Sequence, residues 1–224
     1  MISVIIPVLN EEKSIEGLLK QFDNCKESKE VIVVDGGSTD DTVEIASKYA
    51  KVVHSEKGRA NQMNAGAKVA KGEVLWFVHS DSIIDSESLT KIEEAISKGY
   101  IGGGFSLYFY DDSSLFMKFV SVTSNWRAKY LGLFFGDQGI FVRKDVFNSV
   151  GGYPKIELME DWELAAGLKK VGKMTILKTP LGTSARRFKK GGALKTLMLM
   201  HKIKILYVLG VPTSKLAKLY REDQ

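Results

Sequence analysis

Cysteine is almost absent from this chain: Cys25 stands alone among 224 residues. No internal disulfide can form, which suits a reducing compartment. Long apolar runs are missing as well. No stretch reaches the ~18 uninterrupted apolar residues that a bilayer-spanning helix needs. The opening "MISVIIPVLNEE" has no basic stretch, and its apolar run is too short for a signal peptide. Together these absences predict a cytoplasmic protein. Proline is scarce, at four residues, and no Pro/Ser linker, low-complexity segment or internal repeat divides the chain. Phosphate-cradling glycine loops are also lacking. The turn after the first apolar run reads "PVLNEE", without the glycines that let a dinucleotide fingerprint approach a pyrophosphate, and no GxxxxGK occurs.

What is present is ordinary for a globular domain: 44% hydrophobic and 26% charged residues, enough for a full core. The charge is uneven. From Leu181 onward ten Lys and Arg face two acids, so +8 of the net +5 lies there and the rest of the chain carries −3. The pattern predicts four buried strands in the first half, at Ser3 to Leu9, Val31 to Asp35, "KVVH" and Glu73 to Val78. Helical patterns alternate with them, one in "NEEKSIEGLLKQF" with Ile15, Leu18, Leu19 and Phe22 on one face, one opening at an N-cap Ser38 or Thr39, and one from Arg59 to Ala70. Such alternation argues for βαβ units on a mostly parallel sheet. The second half is less regular. Strands are expected at Gly102 to Tyr110, in "GIFVR" and in "MTILK", and helices over Leu115 to Tyr130 and "ELMEDWELAAGLKKVGK". Phe116, Phe119, Val122, Trp126 and Tyr130 fall at helical spacing and read as core.

Polar groups gather where strands should end. Asn10-Glu11, Asp35 with "GGSTDD", Asp81 in "FVHSDS", and Gly136-Asp137-Gln138 all fall at strand ends or in loops on one rim. In open α/β sheets ligands bind in the crevice outside those ends. Asp35 sits where a carboxylate accepts from a ribose. Without a glycine cradle the phosphates need a cation, and Asp81 is the residue to hold Mg²⁺ or Mn²⁺, which prefer oxygen ligands and substrate phosphates. The competing reading of Asp81 is a cap for a helix starting near Ser86.

The stretches "SVIIPVLNEE", "EVIVVDGGSTDDT", "GRANQMNAGAKVAKGEVLWFVHSDS" and "GGYPKIELMEDWELAAGLKKVGK" resemble, in this order and spacing, the family-2 glycosyltransferases with their GT-A fold, over roughly residues 2 to 178. Within that family the chain looks most like a small bacterial-type subgroup. The resemblance implies a GT-A-like catalytic domain over 1–190, with a nucleotide half to about 100 and an acceptor half from about 101, and a helical basic tail over 191–224. It implies Pro7, Asn10, Glu11, Asp35, Ser38, Arg59 and Asn61 at the nucleotide, with Asp40 in the same loop as Ser38. Asp81 matches the last aspartate of the DxD metal motif, and Asp161 in "MEDWE" the catalytic base, with Glu160 beside it. The first DxD position is His79 here. Imidazole ligates Mn²⁺ better than Mg²⁺, and the alternatives are a hydrogen bond to a phosphate or sugar oxygen, or to a backbone carbonyl.

The implied activity is inverting transfer of a sugar from a nucleotide-diphosphate sugar to an acceptor hydroxyl, with a divalent metal. Two alternatives stay open: a nucleotide-sugar-binding protein without transfer, and a nucleotidyltransferase. Nucleic acid is not expected, because the tail lysines alternate with leucine and methionine instead of stacking aromatics. Gly136, Asp137 and Gln138 are expected on the acceptor side, against the reading of a polar turn. The tail repeats Leu194, Leu197, Met198, His201, Ile205 and Leu209, broken by Lys195, Lys202 and Lys204. It reads as a helix lying on the inner membrane surface, near a lipid-linked acceptor. Its rivals are packing on the domain or pairing in a homodimer. Arg186 and Arg187 just before it face either donor phosphates or headgroups.

Overall fold

A computed structural model describes residues 1–222, with side chains to residue 221; the last two residues of the tail lie outside the described residues. Seven strands form one sheet: β1 (Ile2–Val8), β2 (Lys29–Asp35), β3 (Lys51–His54), β4 (Val74–Phe77), β5 (Gly102–Phe109), β6 (Phe141–Arg143) and β7 (Met174–Thr183). Their order is β3-β2-β1-β4-β6-β5-β7. Six strands run one way, and β6 is antiparallel to both β4 and β5.

The unbroken apolar runs follow from burial on both faces. Side chains alternate along a strand. Val4, Ile6, Val33 and Trp76 therefore enter one core with Leu18, Leu89 and Ile92, whereas Ile5, Val34, Leu75 and Phe77 enter the other with Met63, Phe147 and Leu164. Helices α1 (Ile15–Gln21), α2 (Thr42–Ser47) and α4 (Ser88–Ser97) cover the first face. Helices α3 (Arg59–Val69), α6 (Lys144–Ser149) and α7 (Glu160–Val171) cover the second.

Several local expectations are corrected. Helix α2 starts at Thr42, not after Ser38 or Thr39. Both of those residues are drawn to the first loop instead: Asn10 N–H donates to Ser38 Oγ at 2.9 Å, and Thr39 N–H to Asn10 Oδ1 at 2.8 Å. Helix α4 begins at Ser88, and Asp85 accepts the Glu87 N–H, so Asp81 is not its cap. Helix α7 starts at Glu160, because Met159 takes a left-handed φ of 73° and breaks the run there.

The largest correction concerns α5 (Leu115–Leu131). Of the residues read as core only Phe116 is partly buried, against the Met117 and Val120 cluster, whereas Val122 is exposed and Phe119, Trp126 and Tyr130 are all nearly 60% exposed. Helical spacing identifies a common face without saying whether anything covers it. The tail forms α8 (Arg186–Gly191), α9 (Ala193–Val208) and α10 (Thr213–Glu222). It packs on the domain: Ile203 and Leu216 share a cluster with Met159, Phe135 and Trp162.

Candidate active site

The C-terminal ends of β1, β2, β4, β5 and β7 open on one rim. Because β6 runs the other way, the loop before it, Gly136–Gln138, reaches the same rim from its N-terminal end. Over this rim lies a cleft of about 1590 Å³, roofed by the tail helices.

Its deepest carboxylates come from the first turn of α7. Glu160 and Asp161 are both buried. The Gly136 N–H donates to Asp161 Oδ2 at 2.9 Å, which fixes the carboxyl, while Oδ1 is buried and has no partner among the described residues. Burial and the adjacent Glu160 push the Asp161 carboxyl up to about 7. Arg59, at the start of α3, meets Glu160 at 3.5 Å. His79 borders the same loop. A Cβ on Gly136 would stand 2.6 Å from His79 Nε2 and 2.9 Å from Asp161 Oδ2, and that Nε2 is buried without a partner. Burial, with Arg59, Arg187 and Arg186 nearby, holds His79 well below the ordinary imidazole value.

A second group gathers cations. Arg186 contacts Glu11 at 3.0 Å and Asp81 at 3.4 Å, bridging two carboxylates. Burial pushes Asp81 up, Arg186 opposes that shift, and Glu11 adds to it. Arg187 stacks over the Tyr220 ring at 4.4 Å. Burial, then repulsion from Arg59 and Arg186, draws it down to about 10.

Of the residues singled out in the sequence, Pro7, Glu11, Arg59, Asn61, His79, Asp81, Gly136, Asp137, Glu160, Asp161, Arg186 and Arg187 line this cleft. Asn10, Asp35, Ser38 and Gln138 are not among its lining residues. Asp35 is 2% exposed and accepts the Gly37 and Ser38 N–H groups at 3.0 Å each, so it shapes the loop after β2. Gln138 is fully buried and accepts from Arg127 at 2.8 Å. Sequence reasoning missed Gln62, whose amide donates to the Val8 and Val34 carbonyls and ties β1 to β2 beneath the cleft. It also missed Arg127 and the role of Lys204, which tertiary packing alone brings to the cleft.

Among the described residues no cluster of three or more His, Cys, Asp or Glu forms a ready-made metal cage, and no helix is long and apolar enough to cross a membrane.

Known proteins resemble the chain in both sequence and fold. It is 33% identical over 129 residues to the glycosyltransferase GlyG of Streptococcus pneumoniae, an alignment covering 50% of this chain and 41% of that one. The chain thus spans less than half the length of that relative. Its fold matches S. aureus TarS 1-349 with a TM-score of 0.66 at 22% identity, covering 82% of this chain and 60% of that one. It also matches the mannosyltransferase PcManGT from Pyrobaculum calidifontis, solved with GDP-Man and Mn²⁺, with a TM-score of 0.67 at 18% identity over 99% and 68% of the two chains. The fold is therefore the expected GT-A-like mixed sheet. The model of one family, described as glycosyl transferase family 2, matches residues 3–151, from β1 through the cleft-forming loop before β6 and on to the end of α6, and the chain belongs to that family.

Proposed function

We propose that the cleft transfers a sugar from a nucleotide-diphosphate sugar to an acceptor hydroxyl, with inversion at the anomeric carbon. Asp161 carries this reading. It is buried and fixed through one oxygen, its other oxygen is buried without a partner, and its pKa of about 7 suits proton abstraction at neutral pH. Glu160 raises that pKa and engages Arg59.

The loops after β1 and β2, with Pro7, Asn10, Glu11, Asp35 and Ser38, hold the nucleoside side, and Arg59 and Asn61 close over it. Arg59 and Arg187 stabilise charge developing on the leaving pyrophosphate. His79 donates to a sugar or phosphate oxygen, a reading supported by its partnerless Nε2 beside Gly136. A divalent cation, Mn²⁺ or Mg²⁺, fits the donor set. The Arg186 guanidinium already stands as a positive charge between Asp81 and Glu11, and one carboxylate with substrate phosphates is a usual site for either ion. Asp81 would hold the ion, which when bound would neutralise the pyrophosphate.

The test is a thermal-shift screen of UDP, GDP, CMP and dTDP sugars with and without Mn²⁺, followed by transfer assays with the donor that binds. Asp81→Ala should lose the Mn²⁺-dependent part of donor affinity, at least about tenfold. Unchanged Mn²⁺-dependent binding in that variant overturns the metal assignment. Binding without turnover on any hydroxyl acceptor returns the nucleotide-sugar-binding reading, and release of pyrophosphate from a nucleoside triphosphate returns the nucleotidyltransferase.

The same reading puts the enzyme in the cytoplasm at the inner membrane face. Its support is two sets of exposed apolar side chains, Leu115, Phe119, Val122, Trp126 and Tyr130 on α5, and Leu194, Met198, Ile205 and Val208 on α9 with Leu209 just after it, in a tail rich in lysine. The protein should pellet with anionic vesicles at low salt and be released by high salt, because each lysine near such a surface is worth about 1 kcal/mol. A soluble homodimer that ignores vesicles would give these side chains to a second copy of the chain.

A further inference from the structure

On the far side of Asp137 the cleft holds two cations that the donor does not use. Arg127, from α5, lies 4.3 Å over the Phe135 ring, and Lys204, from α9, lies 5.9 Å from the same ring. Arg127 is anchored: Nε donates to the Leu133 carbonyl at 3.1 Å and one terminal nitrogen to Gln138 at 2.8 Å. Its remaining nitrogen is left for a ligand. Lys204 makes no hydrogen bond or ion pair among the described residues, although it is partly buried. The one carboxylate facing both is Asp137, whose buried Oδ1 also lacks a partner. Burial and the Arg127 charge draw Lys204 down to about 8, and burial pushes Asp137 up.

Two like charges held over one ring repel each other, and the ring, the two hydrogen bonds of Arg127 and one reluctant counter-ion offset that cost only in part. An incoming anion would offset it. A fixed guanidinium beside a mobile ammonium suits a phosphate monoester, which accepts from both and carries nearly two charges. We propose that the Arg127–Phe135–Lys204 corner is an anion subsite that holds a phosphate group of the acceptor, so that the acceptor is a phosphorylated molecule. The word acceptor rests on the glycosyl-transfer reading; the anion site itself does not. Leu131, Val208 and Leu209 line the same cleft, so the phosphate could arrive on a lipid or on a soluble compound.

The experiment is calorimetric titration with inorganic phosphate, glycerol phosphate and decyl phosphate while UDP or GDP saturates the donor side. Wild type should still bind one phosphate. Lys204→Met removes a side chain with no hydrogen bonds and relieves its repulsion from Arg127, so it should fold and melt no lower than the wild type, yet weaken phosphate at least about tenfold. Arg187→Met should weaken the nucleotide and spare the phosphate. Lys204→Arg should restore binding, which a merely structural role for Lys204 would not predict. Tighter binding of decyl phosphate than of glycerol phosphate assigns a lipid source, and equal binding a soluble one. Loss of phosphate binding once nucleotide is present, or equal affinity in wild type and Lys204→Met, overturns the subsite. If none of UDP, GDP, CMP and dTDP binds, the transferase reading fails by itself, and the same titrations without nucleotide still decide the subsite.

Discussion

Asp161→Asn should reduce sugar transfer at least ~10²-fold while donor affinity stays near that of the wild type. Asparagine keeps the shape and can still accept the Gly136 N–H, but it cannot take a proton from the acceptor. The wild-type rate should rise with pH through an apparent value near 7. The variant should lose that limb. Stability should move the other way. A carboxyl whose folded pKa is raised to about 7 binds more protons folded than unfolded between about pH 4 and 7, so its favourable contribution is lost as pH rises through that window. At pH 8 the wild type carries a buried charge with one unpartnered oxygen. Asp161→Asn should therefore be more stable at pH 8, on the order of 2 kcal/mol, and show no gain at pH 4. Steady-state kinetics and thermal melts across pH check both halves. Equal turnover in the two proteins would remove Asp161 as the base.

The half of the molecule built from βαβ units was legible because its strands are buried on two faces and its helices on one. Their apolar patterns therefore state the layer they occupy. "VLWF" and "VIVVD" needed no further context. The reversed strand "FVR" did not announce its direction, since three apolar or mixed residues pair equally well either way and only the neighbours choose. Helix α5 shows a deeper limit. Phe119, Trp126 and Tyr130 repeat as a core face would, and the surface they form is uncovered in the single chain. Carboxylates at strand ends could be found because loop position and charge are local facts. The Arg127–Lys204 pair could not, because α5 and α9 lie far apart in sequence and only tertiary packing, through Phe135 and the cluster of Met117, Val120, Leu197 and Met200, brings them together.

Gly136→Ala should be nearly as damaging to turnover as loss of the base, through one methyl group. The backbone at Gly136 is not among the positive-φ positions, so alanine meets no conformational penalty there. The obstacle is contact. The new Cβ would stand 2.6 Å from His79 Nε2 and 2.9 Å from Asp161 Oδ2, distances that real Cβ atoms do not tolerate. Asp161 cannot swing freely, since the N–H that holds its carboxyl belongs to the same residue 136. His79 is closed in as well, with Nε2 already out of reach of solvent. One or both side chains must shift, and a displacement near 1 Å at reacting groups costs about 10²-fold in rate. The Arg186 ion pairs with Glu11 and Asp81 involve neither side chain that the new methyl meets and should persist. Gly37→Ala is the control. It has φ of 98° and open space around it, so it should cost about 1 kcal/mol of stability through backbone strain and leave the His79–Asp161 geometry alone. A Gly136→Ala enzyme with wild-type turnover would mean that neither His79 nor Asp161 needs its observed position for transfer.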